Sequence, residues 1–517
     1  MNKDLLQRGA VMKKRLLCLL LLLFALFAVI IVVPRALDGT LPTKPGPGTD
    51  VTETIIPPTE TMENIVFPYE TVPTEDETTV PPESVPQIVP GPSDEPGEPV
   101  DRVKVETDLI FASDMHYMSP NLTDYGNAFN ELIDNGDGKV VRYMVEIWEA
   151  FAEEVIAARP DALILSGDLT INGEKINHQE FAARLAQIEA AGIPVLAIPG
   201  NHDINNPYAT QYFGDAQSFI ETVTPEEFRG IYADFGYNEA VSHAPDSLSY
   251  LYVLNETTWM LMLDSCIYDP KNEVDGEIKE GTMLWIEQCL KEAYAQGITV
   301  IPVAHHNLQE LSRVYVEECV IRNHDELLAL LEKYLTPAFF SGHLHVQRIL
   351  KHTKGPGTPA EHYGITEMVS NALIIPPCQY GRLSLHADGT MSYHTKNTDV
   401  SGWAAKHGVP NEDLLNFPQF SDQYIREVVM KQTYKYIKYI PEDRKERMAA
   451  FYADLFKDYY AGRQIDTNER KKELGYKWWN NYMNPSIQFR QIEGMMKDSV
   501  VNNNNAEIPN PIRQIRE

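Results

Sequence analysis

Ala162-Leu163-Ile164-Leu165-Ser166-Gly167-Asp168, an apolar run that stops at a glycine and a carboxylate, decides how this chain is read. Four consecutive aliphatic side chains without polar alternation predict a short strand buried on both faces. The same form recurs along the chain. Residues 109–112 lead into Asp114-Met115-His116, residues 195–198 into Gly200-Asn201-His202-Asp203, residues 299–303 into His305-His306, and residues 338–340 into Gly342-His343-Leu344-His345. Helical stretches such as 142–158 and 179–191 alternate with these strands, so residues 107 to about 385 read as an α/β layered domain. Each polar cluster then falls at a strand end, where open α/β sheets build their sites.

The residue types in the clusters suit a pair of cations. In extended chain, residues i and i+2 point the same way, so Asp114 with His116, and His343 with His345, can each present two groups to one spot while Met115 and Leu344 turn into packing. Gly167, Gly200 and Gly342 precede the ligand-type residues, as expected where backbone turns sharply or approaches a phosphate. Two divalent ions roughly 3.5–4 Å apart repel each other, and a carboxylate between them offsets charge and fixes their separation. Asp168 is the best candidate for that bridge. Neutral imidazoles and the Asn201 amide complete the shells without making the site too anionic for a phosphate. Mixed oxygen and nitrogen donors favour Mn, Fe or Zn over Mg or Ca. Positions left open would take water and substrate, and metal binding lowers the pKa of water enough to make a hydroxide held between the ions the expected nucleophile.

The series D-x-H, G-D, G-N-H-D, H-H and G-H-x-H resembles the calcineurin-like metallophosphoesterase superfamily. The resemblance implies two facing β-sheets flanked by helices. It implies one metal ion bound by Asp114, His116, Asp168 and His345, and a second bound by Asp168, Asn201, His305 and His343. His202 corresponds to a histidine that contacts the phosphate and protonates the leaving oxygen, and Asp203 to a residue that holds that imidazole in orientation. Many members have Pro after the double histidine, whereas Asn307 follows here. His305 is the ligand by similarity, with His306 as the alternative. The remaining histidines, among them His178, His243 and His324, are expected at the surface or in packing.

Around this domain the composition changes. Lys13-Lys14-Arg15 precedes an apolar run from 16 to 33, which predicts a signal anchor over 1–36 with its basic end in the cytoplasm. Residues 37–103 are rich in Pro, Thr and Glu and lack any periodicity that could bury a core, so they read as a disordered spacer. Between Asp38 and Arg102 that spacer holds 14 acids against two basic residues. An anchor and a stalk predict a single-pass membrane protein with its catalytic part outside the cytoplasm, or a secreted one if the segment is cleaved. The whole chain of 517 residues carries a formal charge of −30 and no basic stripe, which argues against nucleic acid polymers as partners. A small phosphorylated molecule can still enter, because bound cations make the local field positive. Cys266, Cys289, Cys319 and Cys378 show no paired spacing and are expected to be unpaired and buried.

The catalytic domain is assigned to 104–402. From 117 to 139, with Asn135-Gly136-Asp137-Gly138, the chain reads as a long loop after the first ligand pair and a candidate substrate-selecting lid. Residues 403–500 gain helical spacing and many aromatics, including Tyr452, Tyr459, Trp478 and Trp479, and predict a small α-helical bundle whose aromatics form its core and its contact with the catalytic domain. Residues 501–517 read as a polar tail that needs no fold. A metallophosphoesterase domain followed by such a bundle resembles the bacterial cyclic nucleotide phosphodiesterases with an auxiliary C-terminal domain, which implies a cyclic phosphodiester as substrate. The alternatives are a phosphomonoesterase or nucleotidase, or a glycerophosphodiesterase, on the same metal site. A non-catalytic surface binding protein is the reading from a different class.

Overall fold

The computed structural model describes residues 105–315, 318–352 and 364–514; the predicted anchor at 1–36 and spacer at 37–103 lie outside them. Among the described residues, no helix is long and apolar enough to cross a membrane. The chain runs through β1 (Thr107–Ala112), α1 (Asn127–Asn135), α2 (Met144–Ala158), β2 (Ala162–Leu165), α3 (Lys175–Ala190) and β3 (Val195–Ala197). A hairpin of β4 (Thr210–Phe213) and β5 (Ala216–Phe219) and the short α4 (Pro225–Ile231) lead to β6 (Ser242–His243), β7 (Tyr250–Asn255) and β8 (Thr258–Leu263). Then follow α5 (Glu280–Ala295), β9 (Thr299–Ala304), α6 (His324–Lys333), β10 (Ala338–Ser341), β11 (Arg348–Lys351), β12 (Thr366–Val369), β13 (Gln379–Leu385) and β14 (Met391–Asn397). The helical region comprises α7 (Val400–Lys406), α8 (Glu412–Leu415), α9 (Phe417–Tyr436), α10 (Glu442–Tyr460), α11 (Thr467–Arg470), α12 (Leu474–Met483) and α13 (Ile487–Asp498), and β15 (Asn505–Ile508) comes after it.

Two mixed sheets result, of order β15-β14-β13-β1-β2-β3 and β11-β12-β10-β9-β8-β7-β6. The five apolar runs read from the sequence lie at β1, β2, β3, β9 and β10, and β1-β2-β3 and β8-β9-β10-β12 pair in parallel. Parallel strands are covered on both faces, which is why these runs lack polar alternation. The two sheets face each other: Phe111 of β1 stacks on Phe340 of β10, and the Tyr250 hydroxyl of β7 donates to the Ala197 carbonyl of β3 at 3.1 Å. Burial of each such aliphatic or aromatic side chain stabilises the fold by about 1.5–3 kcal/mol. The expected α/β sandwich flanked by helices is therefore what the chain forms, with the helical region behind it.

Three expectations need correction. The stretch 117–139 is not all loop, since it contains α1, whose Phe129 is buried against the first sheet's core. Part of the predicted tail does fold: β15 pairs with β14 and places Ile508 opposite Met391, both buried. Its asparagines misled the reading because their amides replace ladder partners; Asn503 Oδ1 accepts from the Ile349 N–H at 3.1 Å, and Asn504 Oδ1 accepts from Thr395 Oγ1 at 2.7 Å. Finally, the ligand-type residues are not in extended chain. Asp114, His116, Asp168, His343 and His345 all have positive φ, between 42° and 66°, beyond the ends of their strands. Left-handed backbone at a residue with Cβ costs of order 1–3 kcal/mol and persists where the surroundings over-determine it. Met115 and Leu344 do turn into packing, as expected.

The helices α9, α10, α12 and α13 share a core in which Trp479 donates from Nε1 to the Met448 carbonyl at 2.8 Å. That core does not stop at the bundle. It continues into Leu344, Val346, Val369 and Ile375 at the strand ends of the catalytic domain.

Candidate metal centre

Each ligand-type side chain sits one to four residues past a strand, and the turns that carry them are bonded to one another. The Asp114 and His116 N–H groups donate to the carbonyls of Gly167 and Asp168 at 3.1 and 2.9 Å, and the Gly342 N–H donates to the His305 carbonyl at 3.0 Å. Glycine is required where these turns meet. A Cβ on Gly200 would lie 2.2 Å from the backbone nitrogen of Asp168, and one on Gly342 would lie 1.8 Å from Ser113 Oγ.

The donor atoms form two groups that share Asp168. Asp114, His116, Asp168 and His345 each offer an atom within 4.8 Å of the others, and so do Asp168, His305 and His343. Asn201 joins the second group, with Oδ1 3.0 Å from His305 Nε2. The sequence-predicted ligand residues are thus brought together, and Asp168 alone belongs to both groups. His306 is not among them; its Nδ1 and Nε2 bond to Ser265 Oγ and the Val274 carbonyl, both at 2.8 Å. Asn307, standing where many members of the resembled family have proline, donates from Nδ2 to Ser341 Oγ and the Gly342 carbonyl, both at 3.0 Å, and so ties the double histidine to the last ligand turn.

Hydrogen-bond direction tests whether cations fit. His305 Nδ1 is 2.9 Å from the Ser166 carbonyl and His343 Nε2 is 3.0 Å from the Glu318 carbonyl. A carbonyl only accepts, so both nitrogens carry the proton, and in a neutral ring the opposite nitrogen carries the lone pair. Those two lone-pair nitrogens, His305 Nε2 and His343 Nδ1, lie 3.2 Å apart with Asp168 Oδ1 3.4 Å from the first. Such a convergence of acceptors is repulsive by itself and favourable around a cation. In the other group His345 donates from Nδ1 to Asp137 Oδ2 at 2.7 Å, which turns Nε2 to within 3.1 Å of His116 Nε2 and 3.3 Å of Asp114 Oδ1.

Electrostatics agree. Burial works against the Asp114 charge, yet the His345 and His305 rings hold its carboxyl well below the usual carboxylate range. Burial and the repulsion of Lys139 oppose a charged His345, but Asp114 and Asp137 draw it up to about 9, so positive charge is favoured at that spot. Burial, then the Lys139 charge and the neighbouring rings, pushes His116 well down, and burial with the His305 ring pushes His343 down to about 3, which keeps both neutral as ligands must be.

His202 and Asp203 stand apart from the ligand groups. The His202 ring is partly exposed and lies edge-on to His116. Its Nδ1 is held by the Ile171 carbonyl at 2.6 Å and Asn172 Oδ1 at 2.9 Å, which leaves Nε2 open 3.9 Å from Asp168 Oδ2. Asp203, expected to orient this ring, does not touch it. Its buried carboxylate accepts instead from the N–H groups of Gly200, Leu169 and Thr170 at 2.8, 3.0 and 3.0 Å and from Thr170 Oγ1 at 3.0 Å. Asp203 therefore joins two of the ligand turns, and every lone pair directed at them is taken. Burial and the Asp168 charge push this carboxyl up to about 7 against those donors.

Sequence reasoning missed Asp137, Asn172 and the Glu318 carbonyl, each of which orients a site histidine. Asp137 had a signal, an acid between two glycines just after the first ligand pair. Asn172 and Glu318 had none, because a contact through one side-chain oxygen or a backbone carbonyl leaves no mark on composition. Of the histidines expected in packing, His178 is fully buried, with Nε2 donating to the Asp203 carbonyl at 2.9 Å and Nδ1 accepting from the Tyr232 hydroxyl at 2.9 Å. Cys266, Cys289 and Cys378 are free and buried; Cys319 is free and only half-buried.

Comparison with known proteins follows the same division of the chain. Residues 108–347 match the family model described as calcineurin-like phosphoesterase, and residues 399–502 match the C-terminal domain of cyclic nucleotide phosphodiesterase. The chain is similar to a probable cyclic nucleotide phosphodiesterase of Moraxella catarrhalis, 21% identical over 36% of this chain and 58% of that protein. It is also similar to the glycerophosphodiester phosphodiesterase GpdQ of Enterobacter lignolyticus, 26% identical over 46% of this chain and 70% of that one. The chain thus spans well under two thirds of the length of the Moraxella relative. The crystal structure of a dimetal phosphatase from Danio rerio is similar with a TM-score of 0.40 at 13% identity, covering 56% of this chain and 96% of that one. The two histidine-carboxylate groups joined through Asp168 lie within the stretch that matches the first model, so the chain carries a calcineurin-like metallophosphoesterase domain followed by the C-terminal domain of cyclic nucleotide phosphodiesterase.

Proposed function

We propose that this chain hydrolyses a cyclic phosphodiester, of the 3′,5′- or 2′,3′-cyclic nucleotide class, using two ions of Mn, Fe or Zn. The single observation that carries this reading is the cyclic nucleotide phosphodiesterase C-terminal domain at residues 399–502, following a complete ligand set. The ion pair, when bound, supplies positive charge to the phosphate oxygens and a nucleophile at neutral pH. The chain's own residues do the rest. Asp168 faces both groups with separate oxygens, Oδ1 toward His305 and Oδ2 toward His116, and so sets their spacing. His202 keeps Nδ1 bonded to Ile171 and Asn172 and aims Nε2 into the site. An anionic phosphate beside it raises the proton affinity of Nε2, and the proton held there passes to the departing ribose oxygen. We further propose, from the apolar run at 16–33, that the catalytic part works outside the cytoplasmic membrane.

The similarity to GpdQ favours a second reading, an open glycerophosphodiester as substrate at the same groups. Both are tested with the purified full chain loaded with Mn²⁺. Cyclic nucleotides should be cleaved faster than glycerophosphodiesters and aryl phosphomonoesters. Faster turnover of the open diester would select the second reading, and preference for monoesters would defeat both. For the location, protease added outside intact cells should cleave the catalytic part; its protection until lysis would overturn the proposal.

A further inference from the structure

The contacts made by α9 bear on the metal centre, on the reading that its two residue groups bind ions. His345 presents Nε2 correctly only while its Nδ1–H has an acceptor, and that acceptor is Asp137 Oδ2 at 2.7 Å. Asp137 belongs to no strand or helix. It lies between Gly136 and Gly138, the latter with φ +98°, and its local partner is Lys139, whose Nζ donates to the same Oδ2 at 2.9 Å. The residues on either side of it, Lys139 included, are held by one face of α9. The Tyr424 hydroxyl donates to the Lys139 carbonyl at 2.8 Å, Gln432 Nε2 donates to the Gly136 carbonyl, and Lys431 pairs with Asp134. Buried Ile425 lies so near Gly138 that a Cβ there would be 3.0 Å from its Cγ1.

The partner in the contact is tied to an apolar cluster that the same helix helps to build. Leu344, immediately before His345, is buried in the apolar cluster that contains Ile425 and Val429 of α9. The Asp137 side of the hydrogen bond is thus held by α9 directly, and the His345 side through a core that α9 shares. We propose that α9 of the C-terminal helical region positions Asp137 on His345 and thereby sets the affinity of the Asp114–His116–Asp168–His345 group for its ion. Tyr424, Gln432 and Asp137 are positioning residues in this account, since none belongs to either donor group.

The test measures metal directly. The full chain is stripped, dialysed against a series of Mn²⁺ concentrations and analysed for Mn bound per chain. Wild type should bind two ions, in steps that can be followed separately. Asp137→Ala should weaken one step by about 10- to 100-fold and leave the other in place. The double variant Tyr424→Phe/Gln432→Leu should weaken the same step by roughly threefold or more, and excess Mn²⁺ should restore hydrolysis. Gln423→Ala, on the same helix but bonded only to Glu427, should bind like wild type. Should the double variant fail to fold, Tyr424→Phe alone removes a single hydroxyl and should move the same step. Wild-type binding in the α9 variants, equal weakening of both steps, or an equal effect in Gln423→Ala would overturn the proposal. Failure of wild type to bind two ions would instead defeat the metal reading beneath it.

Discussion

Replacing Asp203 with alanine separates two accounts of that residue, one that works through the His202 ring and one that works through the backbone. The structure places four donors on its buried carboxylate: three N–H groups and one hydroxyl. Removing the carboxylate orphans all four, each at about 1–3 kcal/mol, with the low end appropriate because water can enter the vacated volume. Asp203→Ala should therefore lower unfolding free energy by about 4 kcal/mol, and Asp203→Asn, which keeps one accepting oxygen, by about half of that. Urea unfolding of the full chain, followed by tryptophan fluorescence, measures both. His202→Ala is the companion. Its ring is partly exposed and bonded only through Nδ1, so stability should stay within about 1 kcal/mol of wild type while phosphodiester hydrolysis falls by about 10²- to 10⁴-fold. If Asp203→Ala unfolded at the wild-type urea concentration yet lost hydrolysis as fully as His202→Ala, the carboxylate would be acting through the imidazole and the backbone account would be wrong.

Three further outcomes are expected. Asp168→Asn should reduce bound Mn at both steps, because Asp168 alone serves both groups, whereas Asn201→Ala should reduce one; elemental analysis after dialysis distinguishes them. Gly200→Ala should cost about 1–3 kcal/mol and lower metal content as well, since the added methyl meets both the nitrogen and Oδ1 of Asp168 at 2.2 Å. Stability should also depend on pH through His178, which burial pushes from its ordinary 6.5 down to about 4. Between these values the unfolded ring is protonated and the folded one is not, so stability is full above pH 6.5 and is lost as pH falls toward 4, by about 3 kcal/mol. His178→Gln can donate to Asp203 and accept from Tyr232 without titrating, so its acid sensitivity in urea melts should be smaller; equal sensitivity would remove His178 as the cause.

The five apolar runs and the polar residues that end them were legible because two constraints coincide there. A strand buried on both faces has to be apolar throughout, and a cation pair has to be ringed by carboxylates and imidazoles, so chain composition alone records both. Which histidine of the pair at 305 and 306 faces the site was not legible from the residues, because successive side chains on a strand point opposite ways and composition does not reveal which face is inward. The fold decides it by giving His306 to Ser265 and Val274. Asp203 illustrates the same limit, since a carboxylate beside a catalytic histidine in sequence can equally turn to backbone donors in space.

Chain order and residue type pointed to the α/β sheets, a cation-binding set of carboxylates and imidazoles, and the helical region at the C-terminal side, while the division of that set into two donor groups came from the family resemblance. Tertiary structure alone brought Asp137 to His345 across 208 positions, placed β15 on β14 behind the bundle, and seated Leu344 in the core that holds α9. Local patterns are written by each segment's own period and burial, whereas these contacts join segments whose separation in sequence carries no trace of their distance in space.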